Sequence, residues 1–342
     1  MLVSVIIPAR QWDPQLEATL GTLAAQNLPS GVELETVVGL AGKAPPVLPA
    51  GVRVVHNPSG TIPDALNLAI AAGAGEIVVR IDSRCHVQSD HVLRVIRRLE
   101  DQEVGCVGGA QLVLDRGLFG SAYAVAFNSV LLGPSRYRYS RSSGPVDTAY
   151  LGAWRGRDLE DLGGFDPRLI RNQDNELAGR VRASGRVVWY DAGLVVGYRN
   201  GRGLRASMAH HHEFGTWRML QAADGQEGLH PRHLVALSAG AVGALLGVAG
   251  LFNPTTRGPM LRTALGAYAA TVAASAWSAS RLRHRRNDLA LAGLNPVGVA
   301  LAPVVAGAIN AAWAAGVVRG FFGGRLRSNH GAAPSLAVPK VR

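Results

Sequence analysis

A change of character near residue 232 constrains this chain more than any other feature. His233–Phe252 runs for 20 residues without Asp, Glu, Lys or Arg, long enough for a helix to cross a bilayer. Thr263–Ser280 supplies 18 more, and Leu289–Val318 another 30 interrupted by Pro296 and Pro303. A water-exposed helix of such length carries a polar face, and these segments lack one. The expectation is a catalytic or binding domain over 1–230, two to three hydrophobic helices over 231–320, and a basic, disordered tail over 321–342.

The distribution of charge agrees. The formal charge is +11, from 35 Lys plus Arg against 24 Asp plus Glu. Residues 1–230 are balanced at 23 against 23, and residues 231–342 hold 12 bases and one acid, Asp288. The excess therefore flanks apolar segments, where it orients helices and touches anionic lipid. It is not the basic face of a nucleic-acid-binding domain, so nucleic acid is not an expected partner. The bias of basic residues places Arg232 and the cluster at 281–286 in the cytoplasm, joined by a hairpin of two spans. The last segment leaves two readings. One crossing puts Arg319, Arg325, Arg327, Lys340 and Arg342 outside; a segment that turns back at its prolines keeps them inside. Two cysteines, Cys85 and Cys106, exclude a disulfide framework and fit a reducing compartment. The opening residues MLVSVIIPAR read as a strand rather than a secretory signal.

Over the first 230 residues, short β-branched runs alternate with helical patterns, the mark of an α/β sheet. Val3–Ile7, Glu35–Leu40, Val52–Val55 and Glu76–Ile81 read as strands, with helices over 15–26 and Asp64–Ala72 between them. Residues 89–100 read as an amphipathic helix and Val104–Gly109 as a strand. Residues 115–147 show weak periodicity and read as a long functional loop. Asp174–Ala183 reads as a helix with acids in its first turn, and Arg186–Tyr190 as a late strand. Asp82 falls at the carboxyl end of its strand, where ligands of open α/β sheets bind.

Several local patterns fall in a fixed order along residues 1–220. They are Val3-Ser-Val-Ile-Ile-Pro-Ala-Arg10, Asn57-Pro-Ser-Gly60 with Ala65-Leu-Asn67, Val79-Arg-Ile-Asp82 and Val107-Gly-Gly109. Asp147-Thr148 with Gly152 and Trp154-Arg155 follow, then Gly163-Gly-Phe-Asp166, and finally Arg171-Asn-Gln-Asp-Asn-Glu-Leu177 with Arg180. Together they resemble the family-2 glycosyltransferases, in particular the membrane-associated branch like the succinoglycan-biosynthesis glucosyltransferase. The resemblance implies a GT-A fold, a mixed α/β sheet domain followed here by C-terminal transmembrane helices. It also implies a nucleotide-sugar donor, a divalent metal (Mg²⁺ or Mn²⁺) and inversion at the anomeric carbon.

That chemistry needs a carboxylate to hold metal on the donor diphosphate and a base for the acceptor hydroxyl. Asp82 is the metal candidate. Arg84 replaces the second acid of the usual Asp-x-Asp and offers a direct phosphate partner. By resemblance Asp174 is the base; Glu176 lies about 200° around the same helix, so both acids do not face one atom. Pro8, Ala9, Arg10, Asn57, Gly60, Asn67 and Arg80 are the other expected donor contacts, joined by Arg218. Asp147, Trp154, Arg155, Gln173, Glu176 and Trp217 are expected on the acceptor side. His210, His211 and His212 adjoin Trp217-Arg218 but point in different directions on a helix, so they do not form a shared metal site.

These readings combine into an inverting hexosyltransferase of the inner or plasma membrane, multi-pass, with a cytoplasmic catalytic domain. It would move a sugar, UDP-linked by preference, to a lipid-linked or polysaccharide acceptor in envelope or exopolysaccharide synthesis. The apolar segments are too few to form a polymer-exporting channel. Two alternatives stand beside it. One is a polyprenyl-phosphate sugar synthase, whose phosphate acceptor needs no base. The other is a degenerate, non-catalytic nucleotide-sugar-binding membrane protein, suggested by Arg84.

Overall fold

The computed structural model describes residues 1–132, 137, 140–225, 258–259, 262–263, 266–274, 277 and 293–323. The apolar segment 233–252, the cluster 281–286 and the tail beyond 323 lie outside the described residues, as do parts of 263–280. Two compact units contain the described chain: Met1–Gln111 with Ser140–Tyr198, and Leu112–Tyr139 with Arg199–Arg325. The composition boundary read near residue 230 lies outside the described residues.

The first unit is built on a nine-stranded sheet. β1 (Leu2–Ala9), β2 (Glu33–Leu40), β3 (Val52–His56) and β4 (Ile77–Arg80) form its parallel half. Their order is β3-β2-β1-β4, with Val5 opposite Thr36 on one side and Val79 on the other. α1 (Pro14–Ala24) and α2 (Ile62–Ala72) make the crossovers. Each helix starts where the sequence supplies a cap: Asp13 accepts from the N–H groups of Gln15 and Leu16, and Thr61 from that of Asp64. Period two divides β1 between the layers. Val3, Val5 and Ile7 join one buried cluster with Leu16, Leu20 and Leu23 of α1, while Ile6 joins the other with Leu66 and Ala69 of α2.

β5 (Cys85–Val87) and α3 (His91–Leu99) follow. The antiparallel half comprises β6 (Val104–Val113), β7 (Gly144–Pro145), β8 (Tyr150–Arg155) and β9 (Val187–Tyr198). β8 joins the halves, running antiparallel to β4 with Trp154 opposite Val78. β9 runs eight residues beyond Tyr190, because its far half pairs with β5 from Cys85 to Val87. α5 (Gly156–Asp161) and α6 (Gln173–Ala183) complete this unit, and Cys85 and Cys106 are buried free thiols in it.

The second unit holds α4 (Gly117–Phe127), α7 (Leu204–Ala223) and α8 (Pro296–Phe322). α4 corrects the expected loop at 115–147: Ser121 through Phe127 are all buried, and a helix that is apolar all round shows no 3.6-residue stripe. α8 bears on the reading in which the last apolar segment breaks at its prolines: the helix starts at Pro296 and runs unbroken through Pro303. Pro296 occupies the first turn, Asn295 caps it by accepting from the Gly298 N–H, and Pro303 sits inside one 27-residue helix. At 1.5 Å per residue that is about 40 Å, with a mean hydropathy of 1.7 over its most apolar stretch. Among the described residues it is the one helix long and apolar enough to cross a membrane. It packs on α7 backbone to backbone. A Cβ at Gly215 would meet the Trp313 carbonyl, one at Gly316 the His212 carbonyl, and one at Gly320 the Thr216 carbonyl.

Candidate active site

The first unit brings Asp82 and Asp174 onto one guanidinium. Asp82 follows β4, at the carboxyl end of the parallel strands. Asp174 lies in the first turn of α6, which begins after Asn172, a residue held in the left-handed region at φ 63°. Arg80, two residues before Asp82 and only 3% exposed, lies between them. Its Nε and Nη2 both donate to Asp82 Oδ1, at 3.1 and 2.9 Å, and its Nη1 donates to Asp174 Oδ1. Each acid keeps 31% of its side-chain surface. Crowding by protein lifts the Asp174 carboxyl above its ordinary value; the Arg80 charge opposes this, and the Asp82 charge adds to it. Arg80 is thus turned into the protein, where a donor contact had been expected.

A second set of side chains shapes the wall behind this pair. The Phe165 ring lies 5.8 Å from the Arg80 guanidinium carbon and packs edge-on against Trp154. Asn67 fixes the Phe165 backbone twice, donating to its carbonyl at 2.7 Å and accepting from its N–H at 2.9 Å. The chain enters that clamp through Gly164 at φ 69°, where a Cβ would stand 2.8 Å from Asn67 Oδ1. Arg180 donates to the carbonyls of Leu162 and Gly164 and pairs with Glu176 four residues earlier at 2.6 Å.

These contacts reassign several residues. Asn67 holds Phe165 instead of standing ready for a nucleotide. Glu176 is committed to Arg180. Trp154, 3% exposed, is core and offers no stacking face to a sugar. Arg155 caps the end of α3 through the Leu99 carbonyl at 2.6 Å, reaches the Val104 carbonyl at 2.7 Å and pairs with Asp158 at 2.8 Å, so it too faces inward. Asn57, 2% exposed, organises its own turn by donating to the Thr61 carbonyl and accepting from Ser59, with Gly60 at φ 67°. For Asn67, Arg155 and Asn57 backbone groups take hydrogen bonds that a ligand was expected to take.

Pro8 and Ala9 end β1 as buried residues, and Arg10 beyond them is exposed. Arg84 lies in the turn between β4 and β5, half-buried, and Asp147 is half-buried before β8. Gln173 is buried at the start of α6. Trp217 and Arg218 belong to α7 of the second unit. Phe165 is the residue that sequence reasoning missed. The Gly163-Gly-Phe-Asp166 motif was visible, but nothing in it says that the ring backs a buried arginine.

Among the described residues no three His, Cys, Asp or Glu side chains stand together as a metal cluster. The donor set still suits a hard divalent cation shared with a substrate. Both Arg80 bonds to Asp82 end on Oδ1, so Oδ2 remains for a cation that takes its other oxygens from phosphates and water.

No protein-family model matches the chain, and no curated protein matches it. Solved structures do. A mannosyltransferase from Pyrobaculum calidifontis, in complex with GDP-Man and Mn²⁺, is similar at 17% identity over 94% of this chain and 87% of that one, with a TM-score of 0.52. S. aureus TarS 1–349 is similar at 17% identity and a TM-score of 0.43, over 64% of each chain. GalNAc-T7 with UDP, GalNAc and Mn²⁺ is similar at 15% identity and a TM-score of 0.45, over 58% of this chain. The chain thus spans 64% of the TarS fragment and 43% of GalNAc-T7. The mixed sheet, its parallel half leading into β8, is the fold of the GT-A glycosyltransferases.

Proposed function

We propose that this chain is a membrane-attached, inverting glycosyltransferase of family 2, close to the succinoglycan-type branch, that takes a sugar from a nucleotide diphosphate to a lipid-linked or polysaccharide acceptor. The observation that carries the reading is the meeting of Asp82, from a strand end, and Asp174, from a helix start, on buried Arg80. The mannosyltransferase of like fold, holding GDP-Man and Mn²⁺, supports a nucleotide-sugar donor and a divalent cation here. A bound cation would neutralise charge on the departing diphosphate, and Asp82 is the residue to hold it.

Asp174 takes the proton of the acceptor hydroxyl as that oxygen attacks the anomeric carbon from the face opposite the leaving group. Its raised pKa makes it a better base than an ordinary aspartate, provided the pH lies above that pKa. The sign follows: transfer falls on the acid side, beginning above the range where an ordinary aspartate titrates. Arg10 and Arg84 are the proposed donor-side cations, and Asp147 and Gln173 the proposed acceptor-side groups. α8 supports membrane attachment; further spans, a cytoplasmic catalytic face and Trp217-Arg218 near the lipid-borne substrate belong to the same proposal.

A donor screen on membranes expressing the full chain tests the reading, with free nucleotide diphosphate as readout and Mg²⁺ or Mn²⁺ supplied. Wild type should release it in the presence of an acceptor, and Asp82→Ala and Asp174→Asn should not. Equal release by all three refutes the site. Release retained by Asp174→Asn alone points to a lipid-phosphate acceptor, which needs no base.

A further inference from the structure

Arg80 is not an outward phosphate ligand, since its side chain is 4% exposed and each of its three guanidinium nitrogens already donates to a carboxylate. It also makes little sense as fold stabilisation alone. A buried arginine needs one carboxylate, and replacing such clusters by apolar side chains commonly costs nothing. Here the arginine joins two acids from distant parts of the sequence, both at the open end of the sheet and both partly exposed. Among the described residues the two share this one cation. The guanidinium is planar with its donors fixed in a fork, and Phe165, itself held by Asn67, backs it. The fork therefore fixes the spacing and orientation of one acid relative to the other.

Resting on the function proposed above, we infer that Arg80 is a positioning residue that sets the base Asp174 at a fixed distance from the donor-end acid Asp82. The acceptor oxygen must reach the anomeric carbon and surrender its proton in one geometry, and displacements near 1 Å cost such reactions about 100-fold. Arg80 then acts on turnover rather than on donor affinity. A lysine in its place keeps the charge but cannot serve both carboxylates in a plane. Phe165 belongs to the same device, as the stop that keeps the fork from swinging.

The test uses the full chain in membranes or detergent, with Arg80→Lys, Asp174→Asn and the double variant. The readouts are kcat, donor KM and the affinity of UDP or GDP by calorimetry. Arg80→Lys should lower kcat by about 10- to 100-fold while donor KM and nucleotide affinity stay within about 3-fold. In the Asp174→Asn background the same change should lower the residual rate by less than about 3-fold, because the residue it positions is already gone. If Arg80→Lys does not fold, Phe165→Leu carries the test, with a loss of about 3- to 10-fold in kcat at unchanged donor KM. A raised KM at normal kcat, losses that multiply in the double variant, or a normal Arg80→Lys enzyme each overturn the inference while leaving the function standing. A wild type that transfers no sugar from any donor overturns the function, and the inference with it.

Discussion

Two ion clusters of the first unit are inversions of each other. At the open end of the sheet one arginine, Arg80, serves two acids, Asp82 and Asp174. Near the start of α5 one acid, Asp158, serves two arginines, Arg155 and Arg186. The second cluster is closed around its acid: Asp158 keeps 8% of its side-chain surface, Arg155 donates also to the carbonyls of Leu99 and Val104, and only the Arg186 side chain reaches the surface. The first is open, with 31% of each acid exposed and more negative charge than its cation neutralises. A cluster built to hold the fold satisfies all its members internally. One built for chemistry leaves acceptors facing outward, where a cation or an acceptor hydroxyl completes them.

That contrast breaks if the two clusters respond alike. The largest expected effect is on the open one: Asp174→Asn should reduce transfer by about 10²- to 10⁴-fold, the usual share of a general base, with the urea midpoint little changed. The closed cluster should do the opposite. Asp158→Ala takes the carboxylate from largely buried Arg155 and from the half-exposed Arg186, and it should cost about 3 kcal/mol in urea unfolding while kcat per folded molecule stays at the wild-type value. A turnover loss in Asp158→Ala that outruns its unfolded fraction would abolish the distinction.

A smaller effect separates acid damage to the fold from acid loss of the base. His91 is 2% exposed, and neither ring nitrogen has a hydrogen-bond partner among the described residues. Burial pushes it down to about 4. The unfolded chain binds that proton near pH 6.5, so stability is full above this and declines as pH falls toward 4. At about 1.4 kcal/mol per unit the loss is about 3 kcal/mol. His91→Leu should flatten the denaturation profile between pH 6.5 and 4 and leave the acid limb of transfer in place. Smallest is Asn67→Ala, which frees two Phe165 backbone groups and should cost about 1–3 kcal/mol, with a several-fold fall in kcat because Phe165 backs Arg80.

The sequence already shows much of this arrangement. β1 to β4 are legible as β-branched runs, and the acids stand out at a strand end and in a helix first turn, because local pattern determines both positions. The resemblance singles out Asp82 and Asp174, and the fold brings both onto Arg80. What the sequence does not show is direction. Arg80, Asn67, Arg155 and Trp154 occupy motif positions, yet their polar or aromatic groups turn inward toward partners 56 to 98 residues away in the chain or toward the core. A short motif states which residue is present, and only the tertiary structure states whether backbone or ligand takes its hydrogen bonds. α4 escaped for a different reason: burial on every side erases the periodicity by which helices are read.

The backbone-to-backbone approach of α7 and α8 gives that helix pair an uneven capacity to drift. Val304, Val318 and Phe321 are exposed on α8, and one apolar side chain serves there as well as another. Gly215, Gly316 and Gly320 admit not even a methyl without moving a carbonyl of the facing helix. Across distant descendants of this chain, the exposed apolar alphabet can turn over while three absences persist. The pair would then be traced by where side chains are missing, long after every residue with chemistry on those helices has changed.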